Sequence, residues 1–326
     1  MKLVFMGSGA FAVPSLERLL ASSTYRVTAL FTQPDKPAGR GHRQRPPKTK
    51  EVALAHGIDV HQPAKVRSTE SIALIEELAP DCIVVIAYGQ IIPKAILDIP
   101  KHGIINVHGS LLPRYRGAAP IQWAIAEGET ETGVTTMLID EGLDTGAILL
   151  VDSLAIGPKD TTASLSPKLS LMGAALIERT LDAWAEGGLT PIPQDEAQAT
   201  KAPRIKKEDA RIDWRQTATQ IACRIRAFDP WPVAFTELRD AVLRIWKAAP
   251  STATSSAPPG DIVSIHTNGI DVACGEGTVI LVQEVQLSGK SRMAAADFAR
   301  GKRLGKTSHF GSHSGLPSRP QRGEAR

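Results

Sequence analysis

An amide, an imidazole and a carboxylate stand where they could work together. Residues 103–107 are apolar and β-forming and deliver His108 at their end, with Asn106 two positions before it; Asp144 follows inside 140–146 (DEGLDTG). Residues two apart on a strand share a face, so Asn106 and His108 project the same way. Gly109 lets a ligand approach the backbone, and Pro113 stiffens the loop that follows. This trio suits acyl transfer. It supplies a donor for a developing oxyanion, a proton carrier, and a group that orients and charges that carrier. Ser110 lacks the G-x-S-x-G context of a nucleophile elbow. Direct attack by a substrate amine, without an acyl-enzyme, is therefore favoured. For an anonymous Asn and His at a strand end, the bland alternative is that they only satisfy backbone groups.

The elements around them predict an α/β fold with a doubly wound, mostly parallel sheet. Over 1–190, apolar β-type runs alternate with helical patterns. Residues 2–6 read as a first strand, 13–22 as a helix, 25–32 as a second strand, and 82–87 as a buried central strand. Segments 132–139 and 147–151 read as β on either side of Asp144, and 165–184 as a long helix stopped by Gly187 and Gly188. In such sheets ligands bind beyond the carboxyl ends of the strands, where Asn106 and His108 would fall.

The texture then changes. Residues 189–206 are rich in Pro, Gln, Thr and Ala without periodicity, so a catalytic domain at 1–188 is expected to be followed by a linker. A helix at 217–228 precedes short alternating stretches at 242–247, 261–265, 270–274 and 278–287, broken by a loose 251–259 loop. That spacing predicts a small β-barrel within 207–304. The polar run 305–326 has hardly an apolar residue and reads as a disordered tail.

Composition narrows the partners. Residues 1–200 carry 18 Lys and Arg against 22 Asp and Glu, whereas 201–326 carry 20 against 12. The acidic part holds one basic island: Lys36, Arg40, Arg43, Arg45, Lys48 and Lys50, with no acid among 36–50. A basic loop plus a basic second domain suits a polyanion, nucleic acid first among them; charge runs that are only solvated surface are the alternative. The longest apolar run, 82–87, is too short to span a bilayer, and the N-terminus does not read as a secretory signal. Three scattered cysteines fit neither a disulfide framework nor a zinc knuckle, and the eight histidines show no metal-ligand spacing. A cytoplasmic, metal-free monomer is expected. Residues 7–12 (GSGAFA) satisfy the dinucleotide fingerprint, but Phe31-Thr32-Gln33 ends the next strand where an acid is needed, and Asp35 comes later. Nicotinamide binding is thus a weak alternative.

The run NVHGSLLPRYRGAAP at 106–120, with 133–136 and 140–146, closely resembles the signature of the folate-dependent formyltransferases. The stretches QPDKPAGRG (33–41), KEDARIDW (207–214), IRAFDPWP (225–232) and GKSRMAAADF (289–298) narrow the resemblance to the branch acting on methionyl-tRNA, over roughly 1–304. The resemblance implies a catalytic Asn106, His108 and Asp144, with Ser110, Leu111, Leu112 and Pro113 lining the folate site. It implies 10-formyltetrahydrofolate as co-substrate and initiator methionyl-tRNA as partner. Asn106 and His108 would stabilise the tetrahedral oxyanion, while Asp144 orients His108 and assists proton removal. Arg40, with Lys36, Arg43, Arg45 and Lys48, would meet the tRNA acceptor end, and the C-terminal domain, as an OB-like β-barrel, would hold the tRNA body. One departure is Lys201, where the family usually has Tyr. Two rivals remain: a sibling formylating a small amine, and a non-catalytic RNA-binding protein on the same scaffold. The basic loop and barrel speak against the first, the intact trio against the second.

Overall fold

The computed structural model describes residues 1–38, 43–239, 241–305 and 308–311. The chain divides into two compact units, one of Met1–Ile125 with Glu129–Ile205, the other of Ala126–Gly128 with the chain from Lys206 onward.

The first unit carries β1 (Lys2–Gly7), β2 (Arg26–Phe31), β3 (Lys36–Ala38), β4 (Arg43–Arg45), β5 (Asp59–His61), β6 (Cys82–Ile86), β7 (Ile104–His108), β8 (Glu131–Leu138) and β9 (Ile148–Ala155). Seven of these form one sheet, ordered β5-β2-β1-β6-β7-β8-β9. It is parallel from β5 to β7 and antiparallel through β8 and β9, as expected of a mostly parallel sheet. Helices α1 (Val13–Ala21), α2 (Lys48–Ala55), α3 (Thr69–Leu78), α4 (Lys94–Leu97), α5 (Pro120–Ala126) and α6 (Thr162–Ala185) complete it. Helix α6 starts on a capping box between Thr161 and Ser164.

Both faces of the sheet are covered, which is why its central strands read as continuous apolar runs. Phe5, Val84, Ile105 and Val107 pack with Leu16 of α1 and Ile177 and Leu181 of α6. Met6, Val85 and Ile104 pack on the other face with Ile75 of α3 and Ile96 of α4. The alternation settles where the site points. With Ile105 and Val107 committed to the α1/α6 face, Asn106 and His108 share the opposite face with Ile104, at the carboxyl end of β7.

Residues 189–205 are more than an unpatterned linker. Ile192 pairs with Ile148 through bonds of 2.8 and 2.9 Å. Arg116 N donates to Thr200 O (2.8 Å) and Ala202 N to Arg116 O (2.7 Å), so 200–202 run parallel to the loop after the site. These are backbone bonds of irregular chain, which leave no periodic trace in the sequence.

The second unit contains α7 (Ala218–Ala227), β10 (Phe235–Leu238), β11 (Ala241–Thr254), β12 (Ile262–His266), β13 (Gly269–Ala273), β14 (Thr278–Leu287), β15 (Met293–Ala294) and α8 (Ala295–Lys302). Its antiparallel sheet follows the path β10-β11-β14-β13-β12, with β15 beside β14. Register shifts along β11 let that long strand coil against β14. The expected 251–259 loop begins later than the sequence suggests, because β11 continues past Pro250 to Thr254. Ile221 and Ile225 of α7 and Phe298 of α8 fill the core.

One expectation needs correcting here. Residues 308–311 of the supposed disordered tail are packed: Phe310 is fully buried and stacked on Trp214 at 5.8 Å. Ile262 N donates to Ser308 O (3.1 Å) and Phe310 N to Gly260 O (2.8 Å), while His309 Nδ1 meets Asp261 Oδ1 at 2.7 Å. One aromatic ring with backbone partners anchors an otherwise polar run. Residues 306–307 and 312–326 lie outside the described residues. Phe310→Ala should lower stability by about 3–5 kcal/mol, the usual cost of emptying an aromatic site, read as a fall in the urea midpoint. A midpoint shift under about 1 kcal/mol would mean that the ring is not part of the core.

Candidate active site

His108 is nearly buried, 6% exposed, at the end of β7. Its Nε2 lies 2.9 Å from the carbonyl oxygen of Tyr115. A carbonyl can only accept, so Nε2 carries the proton in that bond. Nδ1 is left facing Asp144, whose Oδ2 stands 3.7 Å away. That separation is within ion-pair reach and longer than a hydrogen bond. Asp144 Oδ2 also accepts from Gly117 N at 2.8 Å. The structure thus brings His108 and Asp144 together. Asn106, half-buried, pairs through its backbone with Val85 and Met137. Among the described residues its side-chain amide makes no hydrogen bond, so a donor at the strand's end is uncommitted.

The segment 110–113 is shaped by β8. Thr135, opposite His108 in the β7–β8 register, donates its hydroxyl to Ser110 O (2.7 Å) and accepts from Leu112 N (3.2 Å). Ser110 is buried and its own hydroxyl donates to Arg114 O at 2.7 Å, so its side chain holds the loop. Leu111 and Pro113 are partly exposed and Leu112 is buried. A ligand there would meet apolar edges and backbone.

Sequence reasoning missed the groups that hold this arrangement. Thr135 lies in the 133–136 stretch and Tyr115 and Gly117 in the 106–120 run, but no role was expected of them; Tyr115 and Gly117 act through their backbone. Gln194 and Glu196 lie in the supposed linker. The Arg116 guanidinium, bonded to Glu196 through both oxygens (3.0 and 2.8 Å), holds that carboxyl below the usual range.

The basic island divides. Lys36 on β3 stands directly opposite Arg45 on β4, both exposed. Like charges facing each other destabilise a strand pair, and a polyanion laid across them would relieve it. The backbone of Arg43 belongs to β4, while Arg40 lies outside the described residues. Lys48 is exposed and paired with Glu51 at 2.8 Å. Lys50 is not part of that surface: it binds Asp35 (3.0 Å to each oxygen) and Gln62 (2.6 Å).

The glycine cluster is not arranged as a nucleotide cradle. A Cβ on Gly7 would lie 2.7 Å from the Phe5 ring and 2.8 Å from Ile86 O, so packing alone requires glycine there. Ser8 Oγ accepts from Gln33 N at 2.9 Å. Asp35, the acid closest to the fingerprint's ribose position, is consumed by Lys50 and Gln62.

A family model described as "Formyl transferase" matches residues 1–181, and one described as "Formyl transferase, C-terminal domain" matches 204–303. The methionyl-tRNA formyltransferase of Citrifermentans bemidjiense is 51% identical over 304 residues, covering 93% of this chain and 94% of that protein. That of Acidobacterium capsulatum is 48% identical over 313 residues, covering 96% of this chain and 100% of that protein. Among solved structures, an N-formyltransferase from Helicobacter canadensis, in complex with folinic acid and dTDP-3-aminofucose, matches with a TM-score of 0.66 at 20% identity. It covers 87% of this chain and 99% of that one. This last likeness bears on the fold alone.

Proposed function

The chain belongs to the formyl transferase family, and from that premise we infer that it formylates the methionyl initiator tRNA. The formyl group of 10-formyltetrahydrofolate passes to the free α-amino group of the esterified methionine, giving formylmethionyl-tRNA for translation initiation. One observation carries the choice of acceptor: about half of all positions, across both units, are shared with proteins named methionyl-tRNA formyltransferase. No helix among the described residues is long and apolar enough to cross a membrane, and the reaction belongs in the cytoplasm.

The residues suit a folate. An uncommitted Asn106 amide offers polar contact, while Leu111, Leu112 and Pro113 offer apolar edges and backbone on a segment that Thr135 keeps in place. When bound, 10-formyltetrahydrofolate supplies the activated formyl carbon. Asn106 donates to its oxygen as negative charge develops, an interaction that strengthens only toward the transition state. The Nε2 proton of His108 is held by Tyr115 O, so Nδ1 is the ring atom that meets the substrate. In the protonated imidazolium, Nδ1 carries a second proton; Asp144, 3.7 Å away, stabilises that charge, and Nδ1 passes the proton to the reacting oxygen or nitrogen. Asp144 orients the ring and accepts the amine proton, directly or through water. The methionine amine attacks the formyl carbon, the bond to the folate nitrogen breaks, and tetrahydrofolate leaves. Lys36, Arg40, Arg43, Arg45 and Lys48 grip the acceptor end and so hold a small nucleophile in place.

The test is formyl transfer from 10-formyltetrahydrofolate to methionyl initiator tRNA, with uncharged tRNA and free methionine as controls. Product with the charged tRNA alone supports the reading. Product with a small amine instead overturns the acceptor, and tRNA binding without product overturns catalysis. In the same assay, reversing both Lys36 and Arg45 to Glu should raise the KM for tRNA at least about tenfold. It should also flatten the log–log salt dependence by about two units, roughly one per lost phosphate contact, with the folate KM unchanged. An unchanged salt slope would remove the β3–β4 pair from the RNA surface.

A further inference from the structure

Asp144 sits at φ +55°, a backbone region that non-glycine residues seldom adopt. Such a residue stays in place only if its surroundings hold it there. The amide of Gln194 does part of that holding. Its Nε2 donates to Asp144 O (2.9 Å) and to Gly146 O (2.7 Å), bracketing the turn that carries the carboxylate. Its Oε1 accepts from Arg116 Nε at 2.9 Å, and Arg116 in turn forks onto Glu196. Both donors of the Gln194 amide and one acceptor site of its oxygen are therefore specified by hydrogen bonds, which fixes which way the amide points.

Arg116 also connects the clasp to His108. It lies between Tyr115, whose carbonyl binds His108 Nε2, and Gly117, whose N–H binds Asp144 Oδ2. Tyr115 N donates to Thr200 Oγ1 at 2.8 Å, and Arg116 exchanges backbone bonds with Thr200 and Ala202. Gly117 has φ +127°, and a Cβ there would lie 2.5 Å from Ala202 O, so the two segments are in close contact. Residues 194–202 therefore hold the partner of the imidazole and the partner of the carboxylate together.

We propose that Gln194 is a positioning residue for formyl transfer, fixing the backbone around Asp144 and thereby the placement of its carboxylate against His108 Nδ1. The proposal rests on the function inferred above. Gln194 acts through the backbone of Asp144 and Gly146. A displacement of about 1 Å at such a site can cost two orders of magnitude in rate.

Gln194→Met keeps the side chain's length and removes both donors and the acceptor. The expected result is a kcat lower by about 10–100-fold, with both KM values within about twofold of the wild type. The double-mutant cycle supplies a readout that a general loss of folding would not move. In an Asp144→Ala background, Gln194→Met should cost less than about twofold more, because the group it positions is gone. Glu196, with its side chain 74% exposed, offers a gentler variant. Glu196→Gln should lower kcat about threefold with the melting temperature unchanged, by loosening the charged bonds that fix Arg116. A Gln194→Met enzyme that turns over like the wild type overturns the proposal. So does a loss that multiplies in full with that of Asp144→Ala. A wild-type chain that makes no formylmethionyl-tRNA in this assay overturns the inferred function itself, and the proposal with it.

Discussion

Replacing His108 with alanine is expected to lower the turnover of formyl transfer by about 10²–10⁴-fold, the range over which a positioned acid–base group contributes, while initiator-tRNA affinity stays within about twofold. The separation follows from where the ring sits. His108 is buried at the carboxyl end of β7, and both its nitrogens face groups of the catalytic unit: Tyr115 O at 2.9 Å and Asp144 Oδ2 at 3.7 Å. The described cations proposed for RNA, Lys36, Arg43, Arg45 and Lys48, are on β3, β4 and the start of α2. Single-turnover formylation reads the first quantity and filter binding of the tRNA the second. The substitution removes the buried hydrogen bond from His108 Nε2 to Tyr115 O, which costs about 0.5–1.5 kcal/mol of stability, so rates are compared per folded molecule after a melting curve. Equal losses in turnover and tRNA affinity would end the division of labour between the two sets of residues.

Asn106→Ala should cost about 10²–10³-fold in turnover, the usual loss for one oxyanion donor, with stability changed by less than about 1 kcal/mol. The contrast with His108 is the informative part. The Asn106 side chain has no hydrogen-bond partner among the described residues, so its removal breaks nothing in the folded protein. Denaturant unfolding and steady-state kinetics on one preparation decide the matter. A marked loss of stability with turnover within tenfold would make Asn106 a structural residue.

How much of this was legible beforehand depended on periodicity. Along β7 the apolar β-forming run marks a strand, and its period of two is enough to put Asn106 and His108 on one face at the carboxyl end. The buried runs of β1 and β6 were equally plain, because strands covered on both sides are apolar throughout. What stayed hidden is whatever acts through backbone or through a single distant contact. Gln194 sits among prolines with no pattern around it, yet its amide reaches two carbonyls some fifty positions earlier in the chain. Phe310 lies in a polar run and is nonetheless core. The hydroxyl of Ser110, read as lining a ligand site, is spent on Arg114 O. Charge counting found the basic island but could not separate Lys50, which pairs inward with Asp35, from Lys36 and Arg45, which face outward.

The segment joining the two units also governs how this protein can be cut and recombined. Composition alone would end a catalytic fragment at 188, where the helical pattern stops. Such a fragment would discard Gln194, Glu196 and the Thr200 and Ala202 backbone, and with them the bonds that keep residues 115–117 and 144 in place. A fragment ending at Ile205 keeps them all. The module that evolution or an engineer could exchange for another domain therefore begins after 205. What looks like spacer is inherited with the catalyst.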